Sequence, residues 1–311
     1  MNVSNLIMTE KTTSSMCFFM FSGTSIESMP QLPALKLESY CYHFMFEGCT
    51  KLKKLTHIPA YNFGANSCYG MFTSCTSLED ASVGPRTVVR FADTSCTYSE
   101  YAFFNMFNGC TNLKIVNYNK KPISIKMSSI PKGLYRYLFN NCSSLEYFPL
   151  VLGMDAIKCG DYAFDHTYSG TSVVDVKPFF GSYSVAAAAT NAYSFYHMFS
   201  NCKKIVTGFI PPVTAEAASL FGYMYADSSI VFLTVKPAKI NITKNILNYC
   251  CKGCTSIVQI YWSLAKPPST TISSNWLSSA SSKGTFSSSF KRAEIAQSTS
   301  GVPSTWKIIT T

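Results

Sequence analysis

The sequence predicts a single repeat solenoid, and three observations carry that prediction. An eight-residue segment with an aromatic second residue, a cysteine fifth residue and an aliphatic last residue recurs at intervals of 25 to 35 residues. A short run of alternating apolar and polar residues follows many copies, which is the pattern of a strand with one buried face. Proline then closes several runs, where a strand must end because proline cannot donate to a ladder.

The repeated segment is best represented by MFEGCTKL, Met45–Leu52. Five further copies share its length, and two copies are one residue shorter. A ninth, stretched copy is expected to begin at Ala163 and Phe164 and to run through Thr171 to Val173. The full-length copies are 71–78, 106–113, 138–145, 198–205 and 250–257, and the short copies are 20–26 and 224–230.

The spacing of the copies indicates stacked units. Steps of 25 and 26 residues fall in the range of leucine-rich repeats, whose units stack because none can bury its apolar face alone. Longer steps require insertions, predicted at 82–96, 119–131 and 179–190. The aromatic-rich turn before each unit is expected to form either a short helical turn or an irregular turn on the outer side, because the segment is short for a helix. We expect a solenoid over residues 1–262 and a closing strand unit over 263–311, which is rich in Ser and Thr but contains Trp and Phe.

The Phe and Cys positions are expected to form buried ladders, because equivalent side chains of adjacent coils lie about 4.8 Å apart. One thiol per coil cannot supply the four converging ligands that zinc requires. We therefore interpret the cysteines as a reduced structural core, rather than a metal site or a disulfide framework, and expect no cofactor. In the CCxxC cluster at 250–254, Cys250 and Cys251 stand at the Met and Phe positions of a unit, so we interpret this cluster as core packing too. The ladder residues are Phe46, Cys49, Phe72, Cys75, Phe107, Cys110, Phe139, Cys142, Phe199, Cys202 and Cys254.

Charge and hydropathy exclude several classes of protein. The net charge is +10, from 26 basic and 16 acidic residues. The basic residues are scattered in pairs rather than gathered in the dense stripe of a nucleic-acid groove, so we expect no nucleic-acid partner. No apolar run approaches the roughly 18 residues that cross a bilayer, which predicts no membrane insertion. The first residues lack the pattern of a secretory signal.

The motif MFxxCxxL with its proline connector resembles the BspA-like leucine-rich-repeat proteins of gut Bacteroides and their phages. The resemblance covers about residues 16–262, and the tail with GTF (284–286) and GVPSTWKII (301–309) is similar to the closing unit of such proteins. It implies a right-handed curved solenoid with a strand-lined face, and binding rather than catalysis. The chain departs from the pattern at Thr24, Thr171 and Ser228, which replace the cysteine, and in its uncapped start.

The sequence offers no catalytic constellation. There is no nucleophile elbow, phosphate loop or paired-carboxylate signature, and His43 and His197 occupy corresponding turns, which favours an architectural role. We therefore expect a non-enzymatic structural or host-recognition component of a phage particle, assembled in the host cytoplasm. The alternative is a bacterial cell-surface adhesin that binds host proteins or glycans. The uncapped first unit predicts an oligomer or a larger assembly.

Two surfaces are predicted to bind a protein partner or a surface glycan. The first lies on the insertions and comprises Arg86, Arg90, Lys120, Lys121, Lys126 and Tyr183. The second lies on the strand face and comprises Lys53, Lys114 and Tyr261.

Overall fold

The computed structural model describes residues 6–153, 157–182, 185–187, 192–215, 217–236 and 242–311. In these residues the chain winds into a parallel β-solenoid of about ten coils with few helices. The prediction of a repeat solenoid is therefore confirmed. Among the helices of the described ranges, none has the length and apolarity that crossing a bilayer requires.

The regular elements are short. In chain order the strands are β1 (Lys36–Leu37), β2 (Asn62–Phe63), β3 (Ser82–Val83), β4 (Arg86–Thr87), β5 (Thr97–Tyr98), β6 (Ile123–Ile125), β7 (Ser129–Ile130), β8 (Leu150–Leu152), β9 (Ile157–Cys159), β10 (Val185–Ala187), β11 (Thr207–Ile210), β12 (Val213–Ala215), β13 (Phe232–Val235), β14 (Gln259–Trp262), β15 (Thr285–Ser288) and β16 (Lys307–Thr310). The helices are α1 (Lys177–Phe180) and α2 (Thr270–Ser273), with 3-10 turns at Tyr118–Lys120 and Arg292–Glu294.

The strands pair from coil to coil. Parallel sheets run in the orders β1-β2-β5, β7-β9-β10-β12, β6-β8 and β11-β13-β14-β15-β16. The last sheet is in strict register, with Leu233 opposite Ile260 and Ile260 opposite Phe286. Of the strand pairs described, only the β3–β4 hairpin in the first insertion is antiparallel. The strand runs predicted at 52–59 and 113–118 contain only single bridges, at Lys54 and Ile115.

The aromatic turn before each unit is not helical, contrary to the helical alternative. In the second coil φ is positive at every fourth residue, at Tyr40 (59°), Phe44 (51°) and Gly48 (68°), and an α-helix of L-residues excludes such angles. Successive backbone N–H groups of this turn donate alternately to a carbonyl of the next coil and to a carbonyl of their own coil. Phe46 donates to the Met71 carbonyl of the next coil at 2.9 Å, whereas Met45 donates within its own coil. This layer of turns, which we call the turn layer, therefore pairs its backbone without helix or strand.

The sixth unit begins at Thr167 and not at Ala163, which corrects the sequence assignment. The ring of Tyr168 stacks between Phe139 at 5.6 Å and Phe199 at 6.1 Å, so Tyr168 occupies the Phe position of the repeat. Phe164 lies in a second ladder, 5.3 Å from Phe195. Phe164 and Tyr168 are four residues apart, and the four-residue period of the turn layer places both rings in the core. The sequence alone therefore does not show which of the two belongs to the repeated unit.

Residues 263–311 continue the same solenoid. Cys251 donates its N–H to the Trp276 carbonyl at 2.8 Å, as the interior coils do, so 276–283 is a tenth unit that the motif search did not count. Trp276 is fully buried, and its indole N–H donates to the Gly301 carbonyl at 2.7 Å. The strands β15 and β16 extend the sheet beyond β14.

The core is built around two ladders of stacked rings. In the main ladder, neighbouring ring centroids lie 5.4 to 6.1 Å apart with planes within 18° of parallel. Offset stacking of this kind adds to the free energy gained by burying the rings. The main ladder comprises Phe21, Phe46, Phe72, Phe107, Phe139, Tyr168, Phe199 and Tyr225.

Candidate functional site

The ladder cysteines hydrogen-bond across coils. The Cys110 thiol donates to the Phe72 carbonyl at 3.0 Å, and the Cys142 thiol donates to the Phe107 carbonyl at 3.1 Å. Burial raises the pKa of both thiols, which keeps them protonated as donors. All 13 cysteines lie in the described residues, and none of them forms a disulfide. Within the described ranges, no three His, Cys, Asp or Glu side chains converge as a metal site requires. The same bond is made by Cys49, Cys75, Cys202 and Cys254.

One concavity lies where two insertions meet, and we call it the basic cleft. It has a volume of about 650 Å³. One side comes from the β3–β4 hairpin and the segment after it, and the other comes from the 3-10 turn at Tyr118–Lys120. Three of the predicted binding residues, Arg86, Arg90 and Lys121, line this cleft together. The other lining residues are His57, Pro85, Thr87, Phe91, Ala92, Asp93, Asn117, Tyr118, Pro122 and Ile123.

Hydrogen bonds fix the hairpin side of the basic cleft. The Tyr98 hydroxyl donates to the Arg90 carbonyl at 2.6 Å and accepts the Asp93 N–H at 2.9 Å. His57 Nδ1 lies 2.9 Å from the Thr87 carbonyl oxygen, which ties the hairpin to the preceding coil. The insertion is therefore an ordered wall and not a loose loop.

The inner wall of the basic cleft is formed by Asn117, which is only 3 % exposed. Its amide nitrogen donates to the carbonyls of Pro149 at 2.6 Å and Lys121 at 3.0 Å. Its backbone N–H donates to the Tyr147 hydroxyl at 3.1 Å. These bonds fix the orientation of the side-chain amide, and the buried Oδ1 atom then has no hydrogen-bond partner in the structure.

The cations of the basic cleft are largely uncompensated. Arg90 lies 3.9 Å from Asp93, a distance at the limit of an ion pair. Hydrogen bonds from Ser95 lower the pKa of Asp93 and keep it ionised. Arg86 and Lys121 are exposed and take part in none of the ion pairs of the described residues. The cleft therefore presents positive charge to solvent beside one carboxylate.

The remaining residues of the first predicted surface lie elsewhere. Lys120 is exposed on the 3-10 turn beside the basic cleft but does not line it. Lys126 lines a separate depression of about 380 Å³ with Cys96 and Tyr98. Tyr183 lies outside the described residues.

The strand-face residues do not form one site. Lys53 and Lys114 occupy the same repeat position, in a row where exposed acidic and basic residues alternate from coil to coil. Lys114 pairs with Glu79 at 3.1 Å, so its charge is compensated. Tyr261 is half exposed on β14, five coils further along. The charged row comprises Glu27, Lys53, Glu79, Lys114 and Glu146.

Sequence reasoning missed a polar cluster on the turn layer. The buried Asp165 carboxylate accepts a hydrogen bond from Arg136 Nε at 2.8 Å and lies 2.5 Å from His166 Nδ1. His166 stacks on His197 at 4.5 Å, inside a surface ring stack that a recurring aromatic position in the sequence could have revealed. Burial, with a contribution from His166, lowers the pKa of His197 to about 4. The ring stack comprises Tyr137, His166, His197, Tyr223 and Tyr249.

Comparisons with known proteins give no relative. No protein-family model, no curated protein and no solved structure matched the chain.

Proposed function

We propose that the chain is a non-enzymatic recognition and assembly protein of a phage particle, built on a BspA-like leucine-rich-repeat solenoid. The observation that carries the proposal is the apolar outer side of the first coil. Six large apolar side chains there are 41 to 64 % exposed, whereas Met45, the equivalent of Met20 in the second coil, is fully buried. Apolar patches of this kind mark contacts between proteins. They are Leu6, Ile7, Met16, Phe18, Phe19 and Met20.

A second copy of the chain is the partner that this end coil fits. At the boundary with the second coil, Phe19 stacks on Phe44 at 5.2 Å and Phe21 stacks on Phe46 at 5.4 Å. The outer faces of Phe19 and Phe21 can stack in a similar way on the first-coil rings of a second copy of the chain. At the opposite end, β16 exposes Lys307 and Thr310 beside a single exposed large apolar side chain, Ile309, so apolar matching favours contact between two first coils. Such a contact is isologous and closes at two copies.

The mass of the purified full-length chain in solution tests this proposal. Light scattering after size exclusion should give twice the 34.4 kDa chain mass. The double variant Ile7→Lys/Phe18→Lys should be a monomer, because it places charge in the apolar contact. Val258→Lys alters a similarly exposed apolar residue near the far end and should leave the dimer intact.

The opposite results are equally informative. A monomer of 34.4 kDa at all concentrations, for the unaltered chain, would contradict the assembly function. If that monomer nevertheless bound intact bacterial cells, a free-standing adhesin would replace the virion component as the better account.

A further inference from the structure

The basic cleft combines two chemical features that converge on one ligand class. We propose that it binds an acidic saccharide, with a sugar carboxylate at Arg86, Arg90 and Lys121 and the sugar ring on Tyr118. The inference rests on the recognition part of the proposed function and names the ligand class that recognition would use.

The charge of the cleft selects an anion. Arg86 and Lys121 have no ion-pair partner in the described part of the chain, and Arg90 has only the distant Asp93 carboxylate. Guanidinium groups bind carboxylates through paired, charge-assisted hydrogen bonds. Because Asp93 remains at the rim, a ligand of very high charge density gains less than one that carries single, spaced carboxylates.

The apolar part of the cleft suits a sugar ring. Tyr118 is 53 % exposed beside the cations, and Pro85, Pro122 and Ile123 complete the lining. An exposed aromatic ring offers an apolar surface for the C–H face of a pyranose, together with a polar hydroxyl at its edge. An acidic sugar would use both the positive charge and the ring surface, whereas an acidic peptide such as polyglutamate would use only the charge.

Titration calorimetry with trigalacturonic acid tests the inference on the full-length chain. The matched ligand control is its methyl ester, which keeps the sugar ring and the hydroxyls but has no charge. We expect the ester to bind at least about tenfold more weakly. Hexaglutamate, an anion without a sugar ring to pack on Tyr118, should also bind at least about tenfold more weakly.

Variants locate the binding. Arg86→Gln/Lys121→Gln should weaken trigalacturonate at least about tenfold, because both substituted residues are exposed and their loss leaves the core intact. Lys283→Gln/Lys307→Gln removes the same charge in the last coils and should leave the affinity unchanged.

Equal binding of the acid and its ester, tighter binding of hexaglutamate, or equal loss in both double variants would overturn the inference. The absence of any binding by trigalacturonate would do the same. The mass measurement is independent of the cleft, so a dimer without sugar binding would leave the assembly function standing while this inference fails.

Discussion

The thiol of Cys75 donates a hydrogen bond to the main-chain carbonyl of Phe46 in the preceding coil, over 3.1 Å. Phe46 also carries a ring of the main ladder, which stacks on Phe72, so these two neighbouring units are joined both by ring stacking and by a thiol hydrogen bond. The relationship explains why cysteine recurs at this position. It is small, readily buried and still able to donate.

Replacement of Cys110 should depend on whether the new side chain can donate. In the first unit Thr24 replaces the cysteine, and its hydroxyl donates a hydrogen bond to the Phe21 carbonyl of the same coil at 2.7 Å. We therefore expect Cys110→Thr to be more stable than the isosteric Cys110→Val by about 1 kcal/mol, through the corresponding bond to Phe107. Urea unfolding of the two variants measures the difference. If burial alone mattered, the valine variant would be the more stable one.

Glycine at position 70 is expected to be required by space as well as by conformation. Its φ is +59°, and an added Cβ would lie 2.2 Å from the ring of Phe44. Gly84 has a similar φ of +57° with nothing within 4 Å, so it is a matched control. Gly84→Ala should cost about 1 kcal/mol of backbone strain, and Gly70→Ala should cost clearly more. Equal losses in thermal unfolding would show that the ring moves aside freely.

Stability should fall in mild acid because His197 must stay neutral. It stacks between His166 and Tyr223, contacts Tyr196, and lies in the field of Asp165 and Lys252. Its pKa is lowered to about 4 in the folded chain from an ordinary 6.5. The unfolded chain therefore binds more protons between these values, so stability is full above pH 6.5 and declines as the pH falls towards 4.

Urea midpoints measured from pH 7.5 to 4 test that dependence. His197→Tyr places in this coil the residue that the next coil already has at Tyr223, and it should flatten the acid limb of the profile. An unchanged profile in the variant would assign the acid sensitivity to other groups.

Native thiol reactivity should be confined to one cysteine. Cys96 is partly exposed, whereas the other twelve cysteines are buried. Burial raises the pKa of the thiols of Cys202, to about 11, and Cys41, to about 12, so these two carry little of the reactive thiolate. Titration with a thiol reagent should release one equivalent from the native chain and 13 after denaturation. Cys96→Ser should abolish the native signal, and several fast-reacting thiols would contradict the buried ladder.

Much of the fold was accessible from the repeat pattern. The recurrence of Phe46 and Cys49 at equivalent places predicted stacked coils, because a unit of this size has no core of its own. The turn layer could not be predicted. Positive φ at residues such as Tyr40 and Phe44 is rare, and it is sustained here by hydrogen bonds to the next coil that local sequence does not show.

The candidate site, like the fold, could be predicted from the sequence only in part. The insertions and the cations Arg86, Arg90 and Lys121 could be named from the sequence, but their meeting in one cleft depends on how two coils stack. Asn117 carried no signal, since an isolated asparagine gives no indication of its partners. Lys114 shows the reverse, because its pairing with Glu79 compensates a charge that had suggested a binding surface.

The sequence by itself determined that this chain is a solenoid, because a repeated unit that cannot bury its own apolar face must stack on a copy of itself. The tertiary structure decided the register of the sixth unit and the addition of a tenth. It also decided the turn conformation of the outer layer and the contents of the basic cleft. Each of these depends on contacts between residues about 25 or more positions apart, which stacking creates and local patterns do not encode.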